Sequence, residues 1–223
     1  MPVAWLLVTP VQHRAANVVD GTSIQRRHTQ MNLRLFYSGS EGKKAFADHD
    51  PLERVGDLVG LLRTVHFAPE DVALVLRFPA QRRRLLDILL AQRSPQYLRS
   101  LQRYQRVLAQ RNALLRRGGA TDTTLATWTE QLAAVGGFVR QERTEAIGAL
   151  RGPFAAWMRR LAPTDERPTV NYQGAGVDGQ AQEVVLLEQL HERARQEREV
   201  GYTLAGPHRD DLVFALADRP APA

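Results

Sequence analysis

The sequence contains no cysteine, which excludes disulfide bonds and thiolate metal sites and suits a reducing compartment. It also lacks any apolar run of the roughly 18–20 residues that a membrane-spanning helix needs. The opening apolar segment Ala4–Val8 is short and has no basic residues before it, unlike a signal peptide. With 223 residues, 43% of them hydrophobic, the chain can form one large domain or two small ones. We therefore expect a soluble, cytoplasmic protein without a membrane segment.

Lysine is almost absent, since only Lys43 and Lys44 occur among 30 basic residues. A GC-rich genome would favour arginine codons, but codon usage does not explain why the arginines cluster. Positions 77–117 carry eleven arginines against one acid, Asp87, so this stretch has a charge of +10 in a chain of net charge +6. The remaining residues therefore sum to −4. Such a local excess of positive charge is typical of a surface that binds a phosphate polymer.

The first third of the sequence predicts mainly short strands. Alternating apolar residues indicate a strand over Met31–Tyr37, and the turn residues Ser38–Gly42 predict a hairpin to a second strand at Lys43–Phe46. Further predicted elements are strands at Ala4–Val8, Ala15–Val19 and Thr64–Phe67, a short helix at Leu52–Leu62, and a helix that begins at Pro69–Asp71.

From Pro79 onward the pattern is helical. One helix presents an apolar face of Leu85, Leu86, Leu89 and Leu90, and Ser94–Pro95 ends it and caps the next helix. In that next helix, apolar residues fall at the spacing of a coiled-coil seam: Tyr97, Leu101, Tyr104, Leu108 and Leu115. Because Gln110, Arg111 and Asn112 interrupt the seam, we expect their polar groups to hydrogen-bond to another part of the molecule.

Gly118–Gly119 predicts the end of this helix and the start of an antiparallel hairpin. The second long helix runs over about 124–161, with an interruption or kink near Gly136–Gly137 and Gly152–Pro153. Beyond it, the pattern predicts strands at Pro168–Tyr172, Tyr202–Ala205 and Leu212–Leu216, and a charged, solvent-facing helix at Glu183–Glu199.

Four segments, in order, resemble the RecF family, the bacterial recombination and repair ATPases related to the SMC and ABC-type proteins. They are VHFAPED (Val65–Asp71), RRRLLD (Arg82–Asp87), SPQYLRSLQRYQRVLAQRNALL (Ser94–Leu115) and GYTLAGPHRDDL (Gly201–Leu212). Arg77–Phe78 departs from the Gly-Ser pair usual in the family.

The resemblance implies an α+β fold, with part of an ABC/SMC-type ATPase head sheet and a long helical-hairpin arm. Residues 1–76 would belong to the head, 77–200 to the arm, and 201–223 to a strand that returns to the head. It also implies that an intact family member binds ATP and Mg²⁺ and dimerises on ATP. Such a protein binds single-strand/double-strand DNA junctions and acts with RecO and RecR to load RecA, in replication recovery and the SOS response.

The nucleotide-binding motifs of the family are not found. The phosphate loop GxxxxGK[ST] would need a glycine at Tyr37 and a serine or threonine at Lys44, around Gly42–Lys43. The signature segment and the acidic metal-binding strand are not found after Leu212 either. The chain therefore resembles the central part of a family member, and we expect it to hold no nucleotide, cofactor or metal and to turn over no ATP alone.

The predicted DNA-binding residues are six arginines of the basic stretch, which would contact the phosphate backbone: Arg82, Arg83, Arg84, Arg99, Arg103 and Arg106. The alternative is a solvated face, or one paired with acids elsewhere, such as Glu188, Glu192, Glu197 and Glu199. Tyr97 and Tyr104 could stack on bases, but their seam spacing favours packing in the core.

The motif Gly206, Pro207, His208, Arg209, Asp210, Asp211 allows three interpretations. As a kinase-type catalytic loop it fails, because Ala215 occupies the position of the required asparagine. As a metal site it offers only ligands from a single turn. By resemblance it lies near the ATPase head, in a structural or coupling role.

Two other functions remain open beside a DNA-binding part of a RecF-like protein. One is a basic helical module that docks an acidic protein. The other is a metal-dependent phosphoesterase built on His208, Asp210 and Asp211.

Overall fold

The computed structural model describes residues 21–26, 29–38, 42–61, 63, 71, 78–118, 122–161, 167–174, 176, 180–216 and 219–220. The chain divides into two compact units, Met1–Val65 and His66–Ala223. The predicted strands Ala4–Val8, Ala15–Val19 and Thr64–Phe67 lie outside the described residues, as does all but Asp71 of the predicted helix start at Pro69–Asp71.

The first unit contains an antiparallel sheet in sequential order. Its strands are β1 (Gly21–Arg26), β2 (Thr29–Ser38), β3 (Gly42–Ala47) and β4 (Asp50–Pro51). The predicted hairpin is confirmed, because Ser38 pairs with Gly42 at the end of the β2–β3 ladder. The predicted helix over 52–62 is wrong: its described residues form only a 3-10 turn, Val55–Leu58. Gly56 and Gly60 disfavour a longer helix because glycine loses most backbone entropy on folding.

The second unit begins with three helices. They are α1 (Pro79–Arg93), α2 (Pro95–Arg117) and α3 (Asp122–Leu161). The predicted cap is confirmed, since Ser94 Oγ accepts a hydrogen bond of 3.2 Å from the Tyr97 backbone N–H. Contacts of Arg111 with Thr129, and of Tyr97 with Arg143, show that α2 and α3 run antiparallel.

Helix α3 continues without interruption through Gly136–Gly137 and Gly152–Pro153. After α3 come β5 (Pro168–Gln173), α4 (Gln182–Glu192), α5 (Ala194–Val200), β6 (Asp211–Leu216) and β7 (Arg219–Pro220). The three strands form an antiparallel sheet in the order β5-β6-β7, which confirms the predicted strands at Pro168–Tyr172 and Leu212–Leu216.

Three expectations for this unit need correction. The predicted helix over Glu183–Glu199 is two helices that meet at Arg193, and its Leu186 and Leu190 are fully buried rather than solvent-facing. The predicted strand over Tyr202–Ala205 is wrong, because these residues form bends without a strand partner among the described residues. On α1 only half of the predicted apolar face is buried, since Leu85 and Leu89 are exposed.

The core of the second unit lies along the middle of α3. Leu132, Val139 and Ile147 of α3 are at most 1% exposed, and they share the interior with residues of the surrounding elements: Tyr97, Tyr104, Val170, Leu186 and Leu190. Among the described residues, no helix combines the length and the apolarity needed to cross a bilayer.

Candidate nucleic-acid interface and the buried network behind it

One face of α2 is a row of exposed, mostly basic side chains. Arg99, Arg103 and Arg106 lie four and three residues apart, which places them on the same side of a helix. The row continues along the same face, and all of its members are exposed: Arg99, Gln102, Arg103, Arg106, Gln110 and Arg117. At 1.5 Å per residue it extends over about 27 Å. The whole of α2 contains no acidic residue that could neutralise it.

The arginines of α1 differ in their surroundings. Arg84 is exposed, as are the arginines of the row on α2. Arg82 instead makes a two-point ion pair, in which Nε and Nη2 donate to the Asp211 carboxylate at 2.9 and 2.6 Å. These hydrogen bonds raise the pKa of Arg82. Arg83 Nη1 donates to the backbone carbonyl of Asp210 at 2.8 Å. The six predicted DNA-binding arginines are therefore four exposed side chains and two that hold the Gly206–Asp211 motif, and their role in binding stays a prediction.

The opposite face of α2 is the buried seam. Tyr97 and Tyr104 are almost completely buried, so the structure places both rings in the core rather than on a stacking surface. The Tyr97 hydroxyl donates to Asp87 Oδ1 at 2.5 Å, and the Tyr104 hydroxyl lies 2.6 Å from His208 Nδ1. Burial raises the pKa of both phenols, so both remain protonated donors at neutral pH.

The Gly206–Asp211 motif forms a turn that is pressed against this seam. Gly206 has a φ of +128°, and a Cβ atom there would lie 2.6 Å from the Tyr104 hydroxyl, so only glycine fits. His208 Nε2 lies 3.2 Å from the Thr203 carbonyl, which can only accept a hydrogen bond. Nε2 therefore carries the proton, and Nδ1 accepts from Tyr104. Burial lowers the pKa of His208 to about 4, so the imidazole is neutral at pH 7.

Asp210 is the centre of a buried set of hydrogen bonds. Arg140 of α3 donates from Nε and Nη2 to the two carboxylate oxygens, each at 2.8 Å. The Tyr172 hydroxyl of β5 donates to Oδ2 at 2.7 Å. Arg140 and Asp210 are both about 97% buried or more, so the pair is shielded from water and salt.

A second buried arginine, Arg143, joins four elements. Its Nη2 donates to Asp87 of α1 at 2.7 Å, and its Nη1 donates to the Pro207 carbonyl at 2.7 Å and to the Tyr172 hydroxyl at 3.2 Å. Its Nε donates to the Tyr97 hydroxyl at 3.1 Å. The turn is thereby tied to α1, α2, α3 and β5 by charged hydrogen bonds.

Sequence reasoning missed Arg140, Arg143 and Tyr172. The signal for Arg143 was present, because it falls four residues after Val139 and four before Ile147, on the buried face of α3. A charged residue at an apolar position is the same signal that singled out Arg111. The partners of Arg140 and Tyr172 could not be found in this way, because they lie far apart in the sequence.

The predicted hydrogen bonding of the Gln110–Asn112 segment is found for two of its three residues. Arg111 is 1% exposed and donates to the hydroxyls of Thr129 and Thr203 at 3.1 and 2.8 Å. Its Nη2 lies 2.7 Å from Glu197 Oε2, an ion pair between two buried side chains. Asn112 Oδ1 accepts from the backbone and hydroxyl of Thr203 at 2.8 and 2.7 Å. Gln110 is exposed.

The metal interpretation of the motif finds no support in this geometry. Both carboxylates, Asp210 and Asp211, are engaged by guanidinium groups, and His208 bonds to Tyr104 and Thr203. In the part of the chain that the structure describes, no three His, Asp or Glu side chains are grouped as a metal would need. Paired charges instead tie the turn to α1 through Arg82 and to α3 through Arg140.

Comparison with known proteins gives a consistent result, although no family model matches the chain. The chain is 35% identical over 210 residues to the DNA replication and repair protein RecF of Salinibacter ruber, covering 90% of this chain and 51% of that protein. It is 42% identical over 172 residues to RecF of Herpetosiphon aurantiacus, covering 74% and 44%. It is 33% identical over 233 residues to RecF of Kineococcus radiotolerans, covering 95% and 60%.

Solved structures agree at the level of the fold. The chain is similar to a structure of the recombination mediator protein RecF with ATP in the RecFOR pathway, with a TM-score of 0.79 and 22% identity, over 86% of this chain and 53% of that one. A second RecF structure, with an ATP analogue, gives a TM-score of 0.81 at 22% identity, over 94% and 58%. The predicted α+β fold with a long helix is thereby confirmed. By sequence and by fold the chain is related to the RecF family of DNA replication and repair proteins, and it spans about half the length of the curated relatives that it matches.

Proposed function

We propose that this chain supplies the DNA-binding helical arm, residues 77–200, of a RecF-like replication and repair protein. The observation that carries the proposal is the exposed row on α2, in which Arg99, Arg103 and Arg106 project from a helix without acidic residues. The relatives are named for DNA replication and repair, which makes a nucleic-acid phosphate backbone the partner expected for such a row.

The mode of binding follows from the chemistry of the row. Guanidinium groups bind phosphate through paired hydrogen bonds but carry no information on base sequence unless they reach base edges. Arg103 lies about 6 Å along the helix axis from Arg99, and Arg106 lies about 4.5 Å beyond Arg103. The row is therefore suited to several phosphates of one backbone, and we expect sequence-independent, salt-sensitive binding.

The buried network supports the arm mechanically. Arg82, Arg140 and Arg143 hold the Gly206–Asp211 turn and β6 against the three helices. A charge-compensated joint keeps the arm in a fixed orientation to the sheet that contains β6, so binding at α2 can be coupled to that sheet.

The wider proposal concerns a protein that contains this chain. By its relationship to RecF it would bind ATP with Mg²⁺, dimerise on ATP, recognise single-strand/double-strand junctions, and act with RecO and RecR to load RecA during the SOS response. This chain alone is expected to turn over no ATP. A rate abolished by Lys43→Ala would contradict that expectation.

A salt titration with a fluorescent duplex tests the arm. For each phosphate contacted, log K falls by about 0.9 for a tenfold increase in salt. With about four contacts, affinity should therefore fall roughly 100-fold for a fourfold increase in salt. Arg99→Ala with Arg103→Ala should weaken binding at low salt and reduce the slope of log K against log salt by about 2.

The matched control removes two arginines outside the row. Arg195 and Arg198 of α5 are both exposed, so Arg195→Ala with Arg198→Ala changes net charge equally. This variant should keep the wild-type slope. Equal losses in both double variants would show that net charge alone drives binding, and negligible DNA affinity with tight binding to an acidic protein would favour the interaction-module alternative.

A further inference from the structure

The last part of α3 forms a second basic surface that the proposed arm contact does not use. Arg143 contacts Tyr97 near the beginning of α2, so the residues of α3 after this point continue past the end of its partner helix. Residues 146–161 contain three arginines, Arg151, Arg159 and Arg160, and no acidic residue. All three arginines are exposed.

An apolar stripe runs along the same segment. Leu150, Phe154, Trp157 and Leu161 are spaced by four, three and four residues, which places them on one side of the helix. Phe154 packs on Phe214 of β6, with 5.8 Å between ring centroids, and this contact anchors the segment to the sheet. The other three side chains are open to solvent: Leu150 is 42%, Trp157 57% and Leu161 76% exposed.

Trp157 combines aromatic and cationic chemistry at one point. The Arg160 guanidinium carbon lies 4.5 Å from the centroid of the indole ring, a cation–π contact. Even with this neighbour, more than half of the tryptophan remains exposed, which is unusual for the residue with the largest apolar surface. An exposed aromatic ring beside arginines is the arrangement with which proteins stack unpaired bases and neutralise the adjoining phosphates.

We propose that the end of α3 binds single-stranded nucleic acid, with one base stacked on Trp157 and the backbone held by Arg159 and Arg160. The inference rests on the proposed DNA-binding function. It adds that this part of the chain prefers a single strand to a duplex, and that Trp157 is the residue responsible for the preference. Duplex DNA does not offer base faces, so it cannot use the indole in this way. An apolar protein surface would bury Trp157 but leave the adjacent arginines without partners, which disfavours that occupant.

The test compares an oligothymidylate single strand with a blunt duplex. Trp157→Ala should weaken single-strand binding by roughly 5- to 150-fold, the range measured for loss of one stacked aromatic. Duplex affinity should be unchanged, and Trp157→Phe should retain most single-strand affinity. Addition of oligothymidylate should also quench a tryptophan emission component that Trp157→Phe lacks.

Two further variants separate the outcomes. Leu161→Ala removes a more exposed apolar side chain from the same stripe, and a loss equal to that of Trp157→Ala would show apolar docking and overturn the inference. If Trp157→Ala binds the single strand normally while Arg99→Ala with Arg103→Ala binds both DNA forms weakly, the inference fails and the arm function stands. If the wild-type chain binds neither DNA, both fail. Circular dichroism of each variant checks that α3 is intact.

Discussion

The arginines of α2 and of the buried network divide into two groups according to their surroundings. Those of the row on α2 are exposed, so a phosphate can reach them without their leaving a buried partner. Arg111, Arg140 and Arg143 are at least 98% buried, and each has an acidic partner within 3 Å. A buried charge is tolerated only when it is paired and hydrogen-bonded, so the second group is structural.

The pair of Arg111 and Glu197 allows a double-mutant test of this division. Arg111→Met leaves Glu197 buried without its counter-charge, which should lower the free energy of unfolding by about 3–5 kcal/mol. Arg111→Met combined with Glu197→Leu removes both charges and should recover most of that loss in urea unfolding. Arg195→Ala breaks only the exposed pair with Glu199 and should change the unfolding midpoint little. Additive effects of the two buried substitutions would contradict the pairing.

His208 should make stability depend on pH below neutrality. Its pKa is lowered from 6.5 to about 4 by burial, and nearby Arg209 and Arg83 act in the same direction while Asp210 and the Thr203 carbonyl oppose them. Below pH 6.5 the unfolded chain binds a proton at this position and the folded chain does not, so stability falls as pH decreases towards 4. A shift of this size is worth on the order of 3 kcal/mol over the interval.

Urea unfolding at pH 7 and at pH 4.5 measures this effect, with His208→Gln as the reference. The variant is expected to be less stable at pH 7 but to lose less on acidification than the wild type, because other groups titrate equally in both proteins. Identical pH dependence in the two proteins would show that His208 is not the responsible group.

At the scale of elements, α3 is the part that the others surround. Its glycine pair faces α4 and the seam of α2: a Cβ atom on Gly137 would lie 2.5 Å from the Glu183 backbone N, and one on Gly136 would lie 2.6 Å from Leu186 Cδ2 and 3.0 Å from Tyr104 Cε2. The absence of side chains at Gly136 and Gly137 thus allows α4 to pack closely against α3. This explains why a helix of 40 residues keeps them in spite of their low helix propensity.

Two glycine substitutions within this one helix should have opposite effects. Gly137→Ala forces Cβ into the backbone of α4 and should destabilise the fold by about 1–3 kcal/mol, as overpacking does. Gly148→Ala, with nothing within 4 Å of its Cβ, should stabilise it by about 0.5–1 kcal/mol through helix propensity alone. The midpoints of thermal unfolding of both variants measure these two effects. A higher midpoint for Gly137→Ala would mean that α4 does not pack as described.

Helix α1 shows a limit of pattern reading at this scale. Its four leucines were predicted to form one apolar face, yet Leu86 and Leu90 are buried while Leu85 and Leu89 are 37% and 41% exposed. The side that meets α2, α3 and β6 also carries Arg82 and Asp87, which pair with Asp211 and Arg143. The periodicity indicates a helix correctly, but the width of its buried stripe depends on its neighbours.

At the scale of the whole molecule, the arginines of the basic stretch have two kinds of surroundings. The positive excess of residues 77–117 is partly consumed internally, because Arg82 and Arg111 pair with Asp211 and Glu197 from the distant end of the chain. Four others, Arg99, Arg103, Arg106 and Arg117, are exposed along one face of α2, and Arg84 is exposed on α1. The two groups cannot be distinguished by local composition, since both consist of arginine in the same helices.

Much of the secondary structure could be predicted from local signals. The proline starts of α1 and α2, the Ser94 cap, the buried tyrosine seam and the β2–β3 hairpin all depend on residues within a few positions of each other, and each is confirmed. The helix over 52–62 and the strand over Tyr202–Ala205 were wrong because their apolar content suits several structures and local propensity is weak. The helix over Glu183–Glu199 is broken at Arg193.

The sequence by itself determined the relationship to RecF, the long helices and the clustering of arginine, because these follow from local order along the chain. Only the tertiary structure decided which arginines face water and which are held by Asp87, Asp210, Asp211 and Glu197. Those partners lie 56 to 129 residues from the arginines they bind, for instance 129 for Arg82 and Asp211 and 56 for Arg143 and Asp87. Local patterns specify faces of a helix, whereas the identity of the group that meets each face depends on how the distant segments pack.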